Sequence, residues 1–186
     1  MAITGIPGCT STPAVVITPA NVAFVSDVET TTTSGLTFSA PVKIVGLSAR
    51  TTQFDGGSSA PYKADYRDHT SASNTNLYGS WFSWCMVVQY KDILCPGTWH
   101  VPTSNEFQQY YNAEPSGTVK SGIHGWLLGG YVLSSSTYNV GTSGNYWSST
   151  PNGTDGAYNA YVYLSSSFSS QFYANRYVGF SLRCVR

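Results

Sequence analysis

The feature that most limits the fold of this 186-residue chain is its scarcity of helix signals. One convincing helix start is present, where Thr103 can cap a helix and Glu106 occupies the capping-box position three residues later. We expect that helix to end near Asn112. Elsewhere Gly, Pro and Ser interrupt short β-branched and aromatic runs. The sequence therefore predicts an α+β domain of short antiparallel sheets, with one or two helices and much loop.

The N-terminal third is predicted to contain short strands followed by a long loop region. Runs of β-type residues occur at 14–18, 22–25, 30–33, 36–38 and 42–45. Residues 50–80 are loop-like, with turn chemistry at 55–59 and 71–76, and the apolar segment 81–90 must be buried. We interpret 1–35 as an extended lead-in to a domain at 36–186. Because unpaired edge strands associate readily, the lead-in is a candidate for assembly into a homo-oligomer.

Charge and hydropathy exclude several classes of partner. Only 10% of the residues are charged and the formal net charge is zero, so the basic stripe of a nucleic-acid-binding protein is missing. Apolar runs stay well short of the ~20 residues of a membrane span, so we expect no membrane insertion. Residues 1–8 have neither the basic nor the apolar part of a signal peptide. A virion protein that is released by lysis would also begin without a signal peptide.

The titratable residues do not form a metal or catalytic signature. The four cysteines allow three full pairings, and buried free thiols or one long-range disulfide fit them better than a zinc site does. Asp55, Asp65 and Asp68 could meet in the long loop, but nothing in the sequence orders them for calcium. Nucleophile elbows, phosphate loops and metalloprotease motifs are all missing. We therefore predict no enzyme activity, no metal and no cofactor.

The C-terminal segment, residues 143–186, has the composition of a binding surface. It contains six Tyr, nine Ser, four Asn and three Phe, together 22 of 44 positions, and only four charged residues. Exposed Tyr offers large contact area at low entropic cost, and Ser and Asn offer adaptable hydrogen bonds. The alternative is a serine-rich β surface that binds nothing, and composition alone does not separate the two.

Alternation within this segment predicts which side chains face outward. In residues 161–165, Val162 and Leu164 should point to the core, and Tyr161, Tyr163 and Ser165 to solvent. Further along, the apolar residues 180, 182 and 184 should share one face of a last strand.

Several motifs, in order, resemble the C-type lectin-like domain of the Fibrobacter succinogenes major paralogous type, which is common in Bacteroidetes surface and phage proteins. The match covers roughly residues 36–186. The motifs are Leu77-Tyr78-Gly79-Ser80-Trp81-Phe82-Ser83-Trp84, Leu94-Cys95-Pro96-Gly97-Thr98-Trp99-His100-Val101-Pro102-Thr103, Glu106-Phe107, Gly129-Gly130-Tyr131, Tyr146-Trp147-Ser148-Ser149 and Gly179-Phe180-Ser181-Leu182-Arg183-Cys184-Val185-Arg186.

This resemblance implies a C-type lectin-like fold, related to the formylglycine-generating enzyme group, in which the terminal strands pair. It implies Trp99 and Trp147 as core aromatics. Cys95 and Cys184 would then lie close together, as a disulfide in an oxidising setting or as buried thiols. We expect Arg183 to hold the terminal strands together by hydrogen bonds.

Residues 143–186 are also similar to the variable region of diversity-generating retroelement target proteins. In those systems mutated template adenines convert Asn codons into codons for Tyr, Ser, Phe and a few others. The resemblance implies a ligand face built from the residue types that such codons encode. That predicted face is Asn145, Tyr146, Tyr158, Tyr161, Tyr163, Ser165, Ser167, Phe172, Tyr173, Asn175 and Tyr177.

Together these observations predict a receptor-binding protein with a diversified face, borne on a phage tail or a bacterial cell surface. Its partner would be a protein or glycan receptor on a cell surface. Two alternatives stay open, namely a surface adhesin that is not diversified and a structural fibre or pilus module.

Overall fold

The computed structural model describes residues 6–10, 16–47, 54, 61–69, 71–113, 126–164 and 168–186. Within those ranges the chain is a mixed α+β structure with short antiparallel sheets, few helices and much loop. This confirms the predicted class, but the described ranges contain four α-helices and not the one or two that the sequence predicts. A 3₁₀ turn at Pro19–Asn21 precedes the helices, which are α1 (Ala72–Tyr78), α2 (Trp84–Gln89), α3 (Lys91–Leu94) and α4 (Ser104–Ala113).

The strands form one three-stranded sheet and several two-stranded ones. In the larger sheet β10 lies between β9 and β11, and the smaller sheets pair β1 with β4, β2 with β3, β5 with β6 and β7 with β8. The strands are β1 (Val22–Phe24), β2 (Thr30–Thr31), β3 (Thr37–Phe38), β4 (Val42–Ile44), β5 (Tyr66–Asp68), β6 (Ser80–Phe82), β7 (Tyr131–Leu133), β8 (Ser136–Tyr138), β9 (Ser143–Asn152), β10 (Gly156–Tyr163) and β11 (Phe168–Asn175).

Helix α4 begins where the capping box predicts. The Thr103 hydroxyl accepts a hydrogen bond from the Glu106 amide at 3.2 Å, and the Glu106 carboxylate accepts one from the Thr103 amide at 2.7 Å. Both otherwise unpaired amides at the helix start are thereby satisfied. Phe107 and Tyr110, three residues apart, are buried on the side that meets the sheet. The helix ends at Ala113, one residue beyond the predicted end.

The prediction of turns at 71–76 was wrong, because those residues form most of α1. The Ser71 hydroxyl accepts a hydrogen bond from the Asn74 amide at 3.2 Å, so the serine caps a helix instead of starting a turn. Gly79 ends the helix with a φ of 83°, a conformation that glycine adopts without strain. In the described ranges, none of the helices is long and apolar enough to cross a membrane.

The three-stranded sheet is packed on one face against α4. Val162 and Phe168 belong to the same buried cluster as Phe107, Tyr110 and Trp126. The burial of Val162 agrees with the predicted alternation. The inward orientation predicted for Leu164 was wrong: its side chain is 56% exposed, because β10 ends at Tyr163 and Leu164 already lies in the following turn.

The chain closes with a segment, residues 179–185, that is buried on both sides. Phe180, Leu182 and Cys184 are buried as expected, but Arg183 between them is buried as well. The segment forms isolated β-bridges to several strands and loops instead of one long regular strand. Alternation along the segment therefore does not divide its residues into a buried and an exposed set.

Arg183 joins the closing segment to the N-terminal strands, as predicted. Its guanidinium donates hydrogen bonds to the Ser39 carbonyl and, at 3.1 Å, to the Thr30 hydroxyl. It also lies 4.6 Å above the ring of Trp126. Burial lowers the pKa of Arg183 to about 10, so the side chain stays protonated at neutral pH.

Two disulfides brace the fold, in place of the free thiols or the single long-range bridge that the sequence favoured. Cys95 pairs with Cys184, the pairing that the family resemblance implies, and Cys9 pairs with Cys85 at the start of α2. The second bridge ties the lead-in to the domain. In addition, Val22 lies opposite Ile44, so β1 of the lead-in pairs with β4. The division at residue 35 and the assembly role of the lead-in stay predictions.

Replacing Cys95 and Cys184 together by Ser should lower the free energy of unfolding by about 4 to 5 kcal/mol, because the bridged residues are 89 apart and the cross-link restricts the unfolded chain. Urea denaturation of the oxidised protein measures this change. The matched control replaces Cys9 and Cys85, whose separation of 76 predicts a similar loss. Equal midpoints for the parent and the Cys95/Cys184 variant would contradict the pairing.

Candidate ligand-binding face

The candidate site lies on the face of the three-stranded sheet that is turned away from α4. Strand β10 is its centre: Tyr161 lies directly opposite Asn145 on β9 and Ser169 on β11. Because side chains alternate between faces along a strand, Tyr161 projects away from the cluster that contains Val162. The register with β11 shifts between Asn159 and Tyr161, which is a β-bulge. Bulges are common where a sheet re-aims side chains at a site.

A cavity of about 310 Å³ opens on this face. Its walls are mostly aromatic and aliphatic, with two amide side chains. Among the described residues that line it, none is charged. The lining is Tyr131, Asn139, Asn145, Tyr161, Phe172, Ala174, Val178 and Phe180. Apolar walls with a few placed polar groups are typical of small-molecule sites.

Three residues of the predicted face line this cavity: Asn145, Tyr161 and Phe172. The rings of Tyr161 and Phe172 lie 5.3 Å apart, inclined by 31°. Asn145 is only 3% exposed, so its amide is at the base of the cavity and not at its rim. Burial raises the pKa of the Tyr161 hydroxyl, and neighbouring Tyr163 adds to the shift. The phenol is therefore neutral and can donate a hydrogen bond to a ligand.

An aromatic row continues from the cavity along the sheet. We use this name for Tyr163, Tyr161, Phe172 and Tyr173, whose rings follow one another at short centroid distances although Phe172 and Tyr173 are consecutive on the edge strand. The ring of Tyr163 lies 6.2 Å from that of Tyr161 at an angle of 17°, and Tyr173 lies 6.5 Å from Phe172. Phe172 is 49% exposed and Tyr173 is 66% exposed, so the row is open at the β11 edge of the sheet.

The prediction that Tyr146 belongs to the face was wrong. Tyr146 directly follows Asn145 on β9, so it points to the opposite side of the sheet, into the α4 cluster. Its hydroxyl donates a hydrogen bond to the Leu127 carbonyl at 2.6 Å and accepts one from the Leu127 amide at 2.8 Å. Burial raises its pKa. Tyr146 is a core residue that holds the segment before β7.

The other predicted residues do not line the cavity. Tyr158 is half-buried opposite Tyr173. Asn175 donates a hydrogen bond to the Tyr177 hydroxyl at 2.9 Å, and Tyr177 leans towards Tyr62 near the far end of β11. Ser165 and Ser167 fall outside the described residues.

The sequence analysis missed one wall of the cavity, the β7–β8 hairpin. Tyr131 stacks on Tyr138 across the hairpin at 5.2 Å and meets Phe180 edge-on at 6.1 Å. Gly130 allows the backbone before β7 to pack closely against the end of β8, because a Cβ at this position would stand 2.2 Å from the Tyr138 carbonyl oxygen. Two short runs of β-type residues, Tyr131-Val132-Leu133 and Thr137-Tyr138, separated by serines, are the hairpin signal that could have revealed this wall.

Among the described residues, the histidines and the carboxylates lie outside the cavity. His69 is buried and stacked on Trp81 at 3.5 Å, and burial lowers its pKa to about 3. His100 pairs with Glu106 at 2.6 Å beside the start of α4. Across the described residues, His, Cys, Asp and Glu form no group of three that could hold a metal ion. The absence of enzyme activity stays a prediction.

No protein-family model, curated protein or solved structure matches this chain. The lectin-like relationship therefore stays a prediction from the motifs. The case for function depends on the cavity and the aromatic row.

Replacing Tyr146 by Phe should destabilise the fold by about 1 to 3 kcal/mol, because the amide and carbonyl of Leu127 would lose their shared partner. Urea denaturation measures this, and Tyr173→Phe is the matched control. That exposed tyrosine should change stability by less than about 0.5 kcal/mol. Equal effects of the two substitutions would contradict the assignment of Tyr146 to the core.

Proposed function

We propose that this chain is a receptor-binding protein with a C-type lectin-like fold, and that it binds its ligand without a metal through the cavity and the aromatic row. The observation that supports this most is the uncharged aromatic and amide lining of a cavity that opens beside exposed rings. This chemistry matches the centres of protein interfaces, which are enriched in aromatic residues and depleted of charge.

The exposure of the row favours binding over a structural role. Phe172 and Tyr173 are adjacent on an edge strand and both are about half or more exposed. Apolar rings held in water lose the free energy that burial would provide. A partner that covers the row would recover it, and Tyr and Phe provide rigid contact area with few rotatable bonds.

Burial and hydrogen bonds hold the face from behind, which favours binding in a preformed shape. Asn159 is fully buried next to the bulge, and its amide donates a hydrogen bond to the Phe172 carbonyl at 3.1 Å. Behind the sheet, the Ser170 hydroxyl donates a hydrogen bond to Gln108 of α4 at 2.6 Å. A preformed site loses less conformational entropy on binding than a flexible one.

We further propose that a retroelement diversifies this face. The residue types of the row are those that mutated Asn codons encode. The buried frame uses separate positions, such as Val162 and Arg183. Changes in the row can then alter ligand choice at little cost to folding, which is what a diversified protein requires.

The proposed setting is a phage tail or a bacterial surface, with a protein or glycan receptor on a cell as partner. A surface adhesin without diversification would use the same face with a fixed sequence. A fibre or pilus module would bind another copy of itself through the face or the lead-in.

Sequencing codons 143–186 of the gene across a natural population tests the proposal. We expect substitutions at the codons of Tyr161, Tyr163, Phe172 and Tyr173, since these side chains form the aromatic row. Tyr146 is the internal control: it is also a tyrosine, but it is buried and should stay invariant. A uniform sequence would contradict diversification, and changes spread evenly over face and core would contradict the assignment of the face.

A further inference from the structure

We infer that the cavity binds one neutral pyranose ring, as a unit of a glycan, without a metal ion. This inference rests on the proposed function, because it assumes that this face is the binding face. It goes further by naming the chemical class of the ligand.

The size of the cavity suits a ligand unit that contains a single ring. Its volume of about 310 Å³ is at the lower end of the range of roughly 300–1,000 Å³ found for small-molecule sites. An extended peptide would have to lie across the aromatic row and could place only a side chain in the cavity. A single ring with substituents can occupy the cavity while the rest of a chain continues over Phe172 and Tyr173.

The lining excludes a charged guest. Among the described lining residues, neither an acid nor a base is available to pair with an ionic group. A buried ion without a partner is strongly unfavourable, so a phosphate, a carboxylate or an ammonium would be rejected. Neutral ligands are therefore favoured over nucleotides and over acidic sugars.

The amide of Asn145 favours a hydroxylated guest over a purely apolar one. Its side chain is 97% buried, yet its nitrogen has only a long contact of 3.5 Å with the Ser143 hydroxyl. An apolar guest would seal this amide away from water without a partner, which costs free energy. Two neighbouring sugar hydroxyls could satisfy both its donor and its acceptor.

The ring geometry suits a sugar ring. Tyr161 and Phe172 are inclined by 31°, so they form a shallow aromatic trough and not a parallel slot for a flat base. The electron-rich face of an aromatic ring attracts the positively polarised C–H groups on one side of a pyranose. The exposed Asn139 at the rim provides a second amide for outward hydroxyls.

The test is ligand-observed saturation-transfer NMR on the full oxidised chain. The probes are methyl glycosides of glucose, galactose, mannose and N-acetylglucosamine, with a chelator present. Sialic acid and N-acetyltyrosinamide serve as the charged and the aromatic comparison. We expect saturation transfer to at least one neutral glycoside, unchanged by the chelator, and none to sialic acid.

Two substitutions locate the binding. Asn145→Leu keeps a side chain that branches at Cγ but removes the amide, and Tyr161→Leu removes the ring face. Each should weaken binding of the glycoside about tenfold, the factor that one lost hydrogen bond or ring contact accounts for. The control Tyr111→Leu replaces a half-exposed tyrosine of α4, on the other side of the sheet, and should leave affinity unchanged. Thermal melting of each variant confirms that it is folded.

Two results would overturn the inference. One is the absence of saturation transfer to every neutral glycoside. The other is glycoside binding that Asn145→Leu and Tyr161→Leu leave unchanged. Transfer to N-acetyltyrosinamide alone, lost in Tyr161→Leu, would overturn the glycan assignment and keep the proposed binding face. The population sequencing described above decides the proposed diversification independently of any sugar.

Discussion

The antiparallel pairing of β9, β10 and β11 is the constraint on which the rest of the structure depends. It gives one sheet two faces with separate roles. On one face Val162 and Phe168 pack with Phe107 of α4, and on the other Tyr161 and Phe172 line a cavity. Since side chains alternate along each strand, the two sets of residues are interleaved in the sequence and separated in space.

This separation explains how a stable fold can present an exposed aromatic surface. Burial of the α4 cluster, the two disulfides and the buried cation of Arg183 stabilise the frame without any contribution from the aromatic row. The row can then consist of residues chosen for contact with a partner. The low overall charge fits this division, because neither the frame nor the face requires ion pairs.

The sequence predicted well those parts of the fold that depend on residues close together in the chain. The capping box at Thr103 and Glu106 defines the start of α4 because both partners lie within one helical turn. The alternation around Tyr161 and Val162 gave the correct orientation, since it lies inside a strand. By contrast, the same pattern failed at Leu164, where the strand has already ended and alternation no longer determines direction.

Features that depend on tertiary pairing could not be predicted in the same way. Tyr146 is of a residue type that is typical of the predicted face, and only the register of β9 shows that its side chain lies in the core. The Cys9–Cys85 bridge joins residues from parts of the chain with no shared motif. Likewise, the contribution of Tyr131 to the cavity depends on how the β7–β8 hairpin folds against Phe180.

The central claim is that the binding face and the folded frame use different residues. A scan of all substitutions over residues 143–186, read out as protease resistance of the oxidised chain, tests it most directly. The account predicts broad tolerance at Tyr163, Phe172 and Tyr173, and loss of resistance at Asn159 and Arg183. Equal intolerance in both groups would contradict the account, because the aromatic row would then be part of the core.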